Sequence, residues 1–78
     1  MIRILVVDDH EILRRNICNL LMTETDLDVV SQASTGREAV ERAEEHQPHD
    51  VVMDISMPEL KDWWRHPSSR RLRPALRF

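Results

Sequence analysis

The stretch Ile2-Arg3-Ile4-Leu5-Val6-Val7 is apolar apart from Arg3, rich in β-branched side chains, and gives way abruptly to two adjacent carboxylates, Asp8-Asp9. A short unbroken apolar run of this kind suits a strand covered on both faces, as in a parallel sheet. The same pattern returns at Asp50–Ile55, DVVMDI, where Asp54 again stands near the carboxyl end of the run. Between the two lies Leu27-Asp28-Val29-Val30, which opens a strand running toward Ala33.

Helical segments separate these strands. Ile12, Leu13, Ile17, Leu20 and Leu21 recur at helical spacing with Cys18 beside them, which predicts an amphipathic helix of about four turns. Asp9 is the expected N-cap, with Glu11 favourable in the first turn. Ser34-Thr35-Gly36 is turn chemistry, with Ser34 or Thr35 as the cap of a second helix. Ala39, Val40 and Ala43 form that helix's narrow apolar stripe, and Glu41, Glu44 and Glu45 face water. Pro48 ends it, because proline offers no amide hydrogen. The order β-α-β-α-β with short connections predicts an α/β fold with a parallel sheet and right-handed crossovers.

Composition narrows the function classes. The chain has 78 residues and one cysteine, Cys18, so no internal disulfide can form. Its four histidines show no metal-ligand spacing with that cysteine, which argues against a zinc site. The lone glycine, Gly36, excludes a glycine-rich phosphate loop. There is no long apolar run and no signal peptide, so no membrane segment is expected, and single cysteine usage fits a cytoplasmic protein. Charge is unevenly spread. Residues 1–60 carry five basic and thirteen acidic side chains, a net −8, whereas residues 61–78 carry six basic and one acidic, a net +5. The three aromatics, Trp63, Trp64 and Phe78, all follow residue 60.

The carboxylates carry the chemistry. In doubly wound sheets, ligands bind beyond the carboxyl ends of the strands near the topological switch point. If the first and third strands are neighbours, Asp8, Asp9 and Asp54 converge there. Clustered anions repel, and a hard divalent cation such as Mg²⁺ relieves them.

ILVVDDHEILRR, STGREAVE and DVVMDISMPEL together closely resemble a response-regulator receiver domain, of the kind paired with LuxR-type DNA-binding domains. The resemblance covers residues 1–60 and implies a flavodoxin-like (CheY-like) doubly wound sheet. Of the five strands of such a domain, three are legible here, so the fold is expected to be incomplete and phosphorylation impaired in this chain. It implies that Asp54 is the phosphoacceptor, Asp9 a direct Mg²⁺ ligand, and Asp8 its partner through a bound water. The backbone carbonyl of Ser56 would complete the metal site, and Met57-Pro58 would shape its floor. His10 receives no role. The implied partner is a sensor histidine kinase, and DNA would be reached only through an output domain not contained here; dimerisation of a parent protein is compatible with this. The module is a switch rather than a metabolic enzyme. Three departures stand out: the hydroxyl residue and the lysine expected after strands four and five are missing, as is a glycine shortly after Pro58.

Residues 61–78 are read as a basic tail, disordered or frame-shifted. Back-translation of Lys61–His66 with the first two bases skipped reads Gly-Leu-Val-Ala, which restores text like that of the family, including the missing glycine. The rival reading takes Arg65, Arg70, Arg71, Arg73 and Arg77 beside Trp63 and Trp64 as a nucleic-acid-binding segment. A third takes the chain as a decoy that binds a histidine kinase without accepting phosphate.

Overall fold

The computed structural model describes residues 1–54, 63, 65 and 73–77. Its elements run β1 (Ile2–Val7), α1 (Glu11–Met22), β2 (Leu27–Ala33), α2 (Gly36–His46), β3 (Asp50–Asp54) and β4 (Arg73–Arg77). The strands form one sheet in the order β2-β1-β3-β4, and each neighbouring pair is parallel. This α/β arrangement, with a crossover helix after each of the first two strands, is the flavodoxin-like doubly wound order.

β1 is an interior strand of the sheet, and from Ile4 to Val7 its side chains alternate between two covered faces. Leu5 and Val7 point into the cluster beneath α2, joined by Ala33, Ala39, Ala43, Val51, Met53 and Trp63. Ile4 and Val6 point the other way, to Cys18 of α1, with Ile17, Leu21, Leu27, Val29 and Val52 packed around them. The charged interruption in β1 has its own place. Arg3 donates its amide to Nδ1 of His49 at 3.0 Å and its guanidinium Nη2 to the Gln47 carbonyl at 2.8 Å, and its carbonyl accepts the His49 amide at 2.8 Å. These bonds tie the α2–β3 connection to the amino-terminal end of the sheet.

α2 begins as expected. Thr35 is the N-cap, its hydroxyl accepting the Glu38 amide at 3.0 Å, and Glu38 reaches back to the Ser34 amide at 3.1 Å and to the Ser34 hydroxyl. That pattern is close to a capping box. The helix ends at Gln47 in the left-handed region (φ 48°), just before Pro48. Gly36 is buried at the first helical position without a positive φ, so its missing side chain matters here for close packing.

Three expectations need correction. The N-cap of α1 is His10, not Asp9, and it makes no side-chain cap bond. The apolar residues of α1 do not form one buried stripe: Ile17, Cys18 and Leu21 pack on the sheet, but Ile12 and Leu20 are 78% and 71% exposed. The helix lies over β1 and β2, so only part of its circumference meets protein. Third, within the segment read as a disordered or frame-shifted tail, Arg73–Arg77 forms a fourth strand of the sheet. β4 pairs with β3 from Asp50↔Arg73 to Asp54↔Arg77, and Trp63 is 1% exposed in the cluster under α2. Arg-Pro-Ala-Leu-Arg has weak intrinsic strand preference, and proline usually argues against a strand interior. The unpaired amides and carbonyls along the edge of β3 supply partners that side-chain pattern cannot reveal.

Candidate functional site

The carboxyl ends of β1 and β3 meet. Val7 pairs with Met53, so Asp8 and Asp54 are the next residues on adjacent parallel strands. Asp54 is the last residue of β3. Ser56, Met57 and Pro58 lie outside the described residues.

Asp8 continues β1 toward β2, its amide donating to the Ala33 carbonyl at 3.0 Å. Its side chain is fully buried. Burying a carboxylate is costly unless hydrogen bonds replace its water. Here Oδ1 accepts the His10 amide at 2.9 Å, an Asx-type turn that directs the chain from β1 into α1. Arg14 secures the same corner from one turn along the helix. Its Nη1 donates to the Asp8 carbonyl at 2.8 Å and its Nε to Oε1 of Gln32 at 3.1 Å, joining α1, β1 and β2.

Asp9 is the outward member of the pair, its side chain 39% exposed. His10 stands over both carboxylates, with Nδ1 3.0 Å from Oδ1 of Asp9 and 3.4 Å from Oδ1 of Asp8. One ligand atom from each of Asp8, Asp9 and His10 can be chosen so that all three lie within 4.8 Å of one another. Two carboxylates side by side are the donor set that hard divalent cations prefer, so Asp8 and Asp9 fit such an ion. Sequence reasoning had brought Asp8 and Asp9 together. It left His10 without a role and treated Arg14 only as a polar residue of the helix; the spacing Asp8 to Arg14, across the strand–helix corner, was the available signal for the latter.

Cys18 has no part in this cluster. It is buried in the α1-side core, and burial pushes its thiol above its ordinary value of 9.0, with the Arg14 charge acting in the opposite direction. A thiol held protonated in this way is a poor nucleophile. Among the described residues, no helix is long and apolar enough to cross a membrane.

Comparison with known proteins places this site in context. The response regulator receiver domain model matches residues 4–62. Response regulator GacA of Pseudomonas viridiflava is 47% identical over 60 residues, which cover 77% of this chain but 28% of that protein. The chain therefore spans little more than a quarter of the length of that curated relative. Among solved structures, a two-component response regulator of the LuxR family from Aurantimonas sp. SI85-9A1 is 36% identical with a TM-score of 0.70, covering 74% of this chain and 41% of that one. The structure of the P1 domain of CheA3 in complex with CheY6 from R. sphaeroides matches with a TM-score of 0.85 at 26% identity, covering 96% of this chain and 61% of that one.

Proposed function

The chain belongs to the response regulator receiver domain family, and from that membership we propose that it is the phosphoacceptor part of a two-component switch with Asp54 as the acceptor. One observation carries the reading. A fully buried Asp8 and its neighbour Asp9 end β1, in register with Asp54 at the end of the adjacent strand. In the reaction, a carboxylate oxygen of Asp54 attacks the phosphorus of a phosphohistidine on a sensor kinase. The P–N bond breaks, a P–O bond forms, and the histidine nitrogen regains its electron pair.

Asp8, Asp9, Asp54 and the Ser56 carbonyl would hold Mg²⁺, which supplies neutralisation of charge on the phosphoryl oxygens. Asp8 is held in place by the His10 amide and by the Arg14 clamp on its carbonyl, so the carboxylate does not have to reorganise when a dianionic group arrives. The shift that follows phosphorylation would control a DNA-binding output domain carried outside this chain. The setting is cytoplasmic, and the module acts as a switch rather than a metabolic enzyme. Residues 1–60 supply the signalling part and 61–78 the change in charge.

The nucleic-acid reading of the basic segment loses one support, since Trp63 is buried and is not presented for stacking on bases. Phosphotransfer decides between the remaining readings. Incubated with Mg²⁺ and acetyl phosphate or a phosphorylated kinase, the chain should gain one hydroxylamine-labile phosphoryl group by intact mass. Asp54→Asn should abolish the gain. A kinase complex that forms with both proteins while neither accepts phosphate would replace this proposal with the decoy reading.

A further inference from the structure

We propose that Arg77 is the cationic residue of the acceptor site, offsetting the charge of Asp54 before phosphoryl transfer and that of the phosphoryl group after it. This rests on the reading of Asp54 as the phosphoacceptor given above.

Register is the first ground. β4 runs parallel to β3, and Asp54 and Arg77 are Cα partners at the carboxyl ends of the two strands. One residue earlier, Val7, Met53 and Leu76 stand in a single row across β1, β3 and β4. The next row therefore holds Asp8, Asp54 and Arg77. This is the end of the sheet at which doubly wound folds bind ligands. Adjacent strands lie about 4.8 Å apart, less than the length of an extended arginine side chain. An arginine at such a register position can therefore serve an anion carried by the neighbouring strand.

Second, the register is a charge match at both ends. Asp50 pairs with Arg73 and Asp54 with Arg77, with Val51–Pro74, Val52–Ala75 and Met53–Leu76 between them. Opposite charges at directly facing positions favour a pairing, and like charges oppose it. A slip of one residue in either direction loses both matches. The charges thus give a weak strand former a reason for this one register.

Third, the carboxylates outweigh the positive charge committed to them. Asp8, Asp9 and Asp54 are three acids, while the Arg14 guanidinium is engaged by the Asp8 carbonyl and by Gln32. One divalent cation leaves a carboxylate charge uncompensated, and an arriving phosphoryl group adds more. Arginine suits that deficit, because its planar fork stays charged and matches phosphate oxygens in pairs. In transfer from acetyl phosphate, an Asp54 oxygen attacks phosphorus and forms a P–O bond. The P–O bond to acetate breaks, and acetate leaves with the electron pair. A positive charge in this row lowers the repulsion between the anionic donor and the carboxylates.

The test uses the full chain with Mg²⁺ and acetyl phosphate, following phosphoryl gain by intact mass. The variants are Arg77→Gln, Arg77→Lys and Arg73→Gln, the last removing the matching charge at the far end of β4. Circular dichroism checks that each folds, and Arg77→Val, with a better strand former, replaces Arg77→Gln if that variant does not. Arg77→Gln should slow uptake about tenfold or more. Arg77→Lys, which keeps the charge but not the fork, should recover most of the rate. Arg73→Gln should stay within about twofold of wild type, because four residues of strand set it about 13 Å away, beyond the screening length at physiological salt. By calorimetry at low salt, Arg77→Gln should bind Mg²⁺ about threefold more tightly, since a neighbouring positive charge is gone. A strand that merely came loose would weaken Mg²⁺ binding instead. If Arg77→Gln and Arg73→Gln slow uptake equally, the arginines only hold β4 and the proposal falls. If Asp54→Asn abolishes uptake while Arg77→Gln leaves its rate unchanged, the acceptor reading stands and the role of Arg77 falls. If wild type gains no phosphoryl group, both fall.

Discussion

The two faces of the sheet are built from similar strand residues but are not equally closed. Among the described residues, eight are buried on the α2 side, from Leu5 and Val7 through Val51 and Met53 to Trp63. Among the same residues, Ile4, Val6 and Cys18 are buried on the α1 side, and five more are half-covered. The apolar residues of the helices run the other way. α2 offers Gly36, Ala39 and Ala43 to its cluster, while α1 carries Ile12, Leu13 and Leu20, which remain exposed. Burial therefore follows the fit of what lies on the sheet rather than the hydrophobicity of the helix. Small residues let α2 approach closely, and Trp63 occupies the remaining space. The helix caps repeat the contrast, since α2 is capped by Thr35 and α1 has no side-chain cap.

The largest test of this contrast is Trp63→Ala. Removing a fully buried tryptophan costs about 3–5 kcal/mol. A 78-residue domain has a total stability of roughly 4–12 kcal/mol. Urea unfolding followed by circular dichroism should show a midpoint shifted far to lower denaturant, or no folded baseline. Trp63→Phe should recover much of the loss, because it keeps an aromatic ring in the core and removes an indole nitrogen that has no hydrogen-bond partner among the described residues. An unchanged midpoint for Trp63→Ala would mean that the α2 side closes without it.

A finer test uses adjacent valines on opposite faces. Val51 is 0% exposed beneath α2, while Val52 is half-buried on the α1 side. Val51→Ala should cost about 2 kcal/mol and Val52→Ala about 1 kcal/mol or less, from the apolar area each removes from water. Equal losses in parallel melts would sink the claim that the faces differ.

The smallest effect concerns the cap. The Ser34 hydroxyl and then the Ser34 amide donate to the Glu38 carboxylate and hold it below its ordinary value of 4.5, with burial acting in the opposite direction. A carboxylate lowered by folding stabilises fully above its unfolded value and loses that contribution as pH falls through the folded one. Stability should therefore fall with acid below about pH 4.5 by less than about 1 kcal/mol, screened by the partial exposure of the group. Glu38→Gln should flatten that part of the pH profile. A profile identical to wild type would remove the capping carboxylate from the account.

Much of this was legible in the sequence because it depends on local pattern. Ile2–Val7 and Asp50–Asp54 are strands on composition alone, and Thr35 with Glu38 three residues later signals the start of α2. The pairing of Asp8 with Asp9 needs no structure, and the neighbourhood of Asp54 needs only the parallel order of the strands. Arg14 and His10 were not legible as members of the site. Their roles depend on the angle at which α1 leaves β1, which the Asp8–His10 hydrogen bond sets in three dimensions. Nor does helical periodicity say which part of α1 meets the sheet. Ile17 and Leu20 both read as apolar-face residues, but only the first is packed on the core.

The alternation of strand and helix, the acidic ends of the strands and the family were set by the sequence, since each rests on residues close together along the chain. The tertiary structure alone decided the places of Trp63 and Arg73–Arg77. Charge and aromatic content mark residues 61–78 as foreign to what precedes them. Even so, Trp63 enters the core and Arg73–Arg77 joins the sheet. The apolar face beneath α2 and the backbone edge of β3 select for volume and for amide partners, and neither requirement leaves a pattern in the residues that meet it.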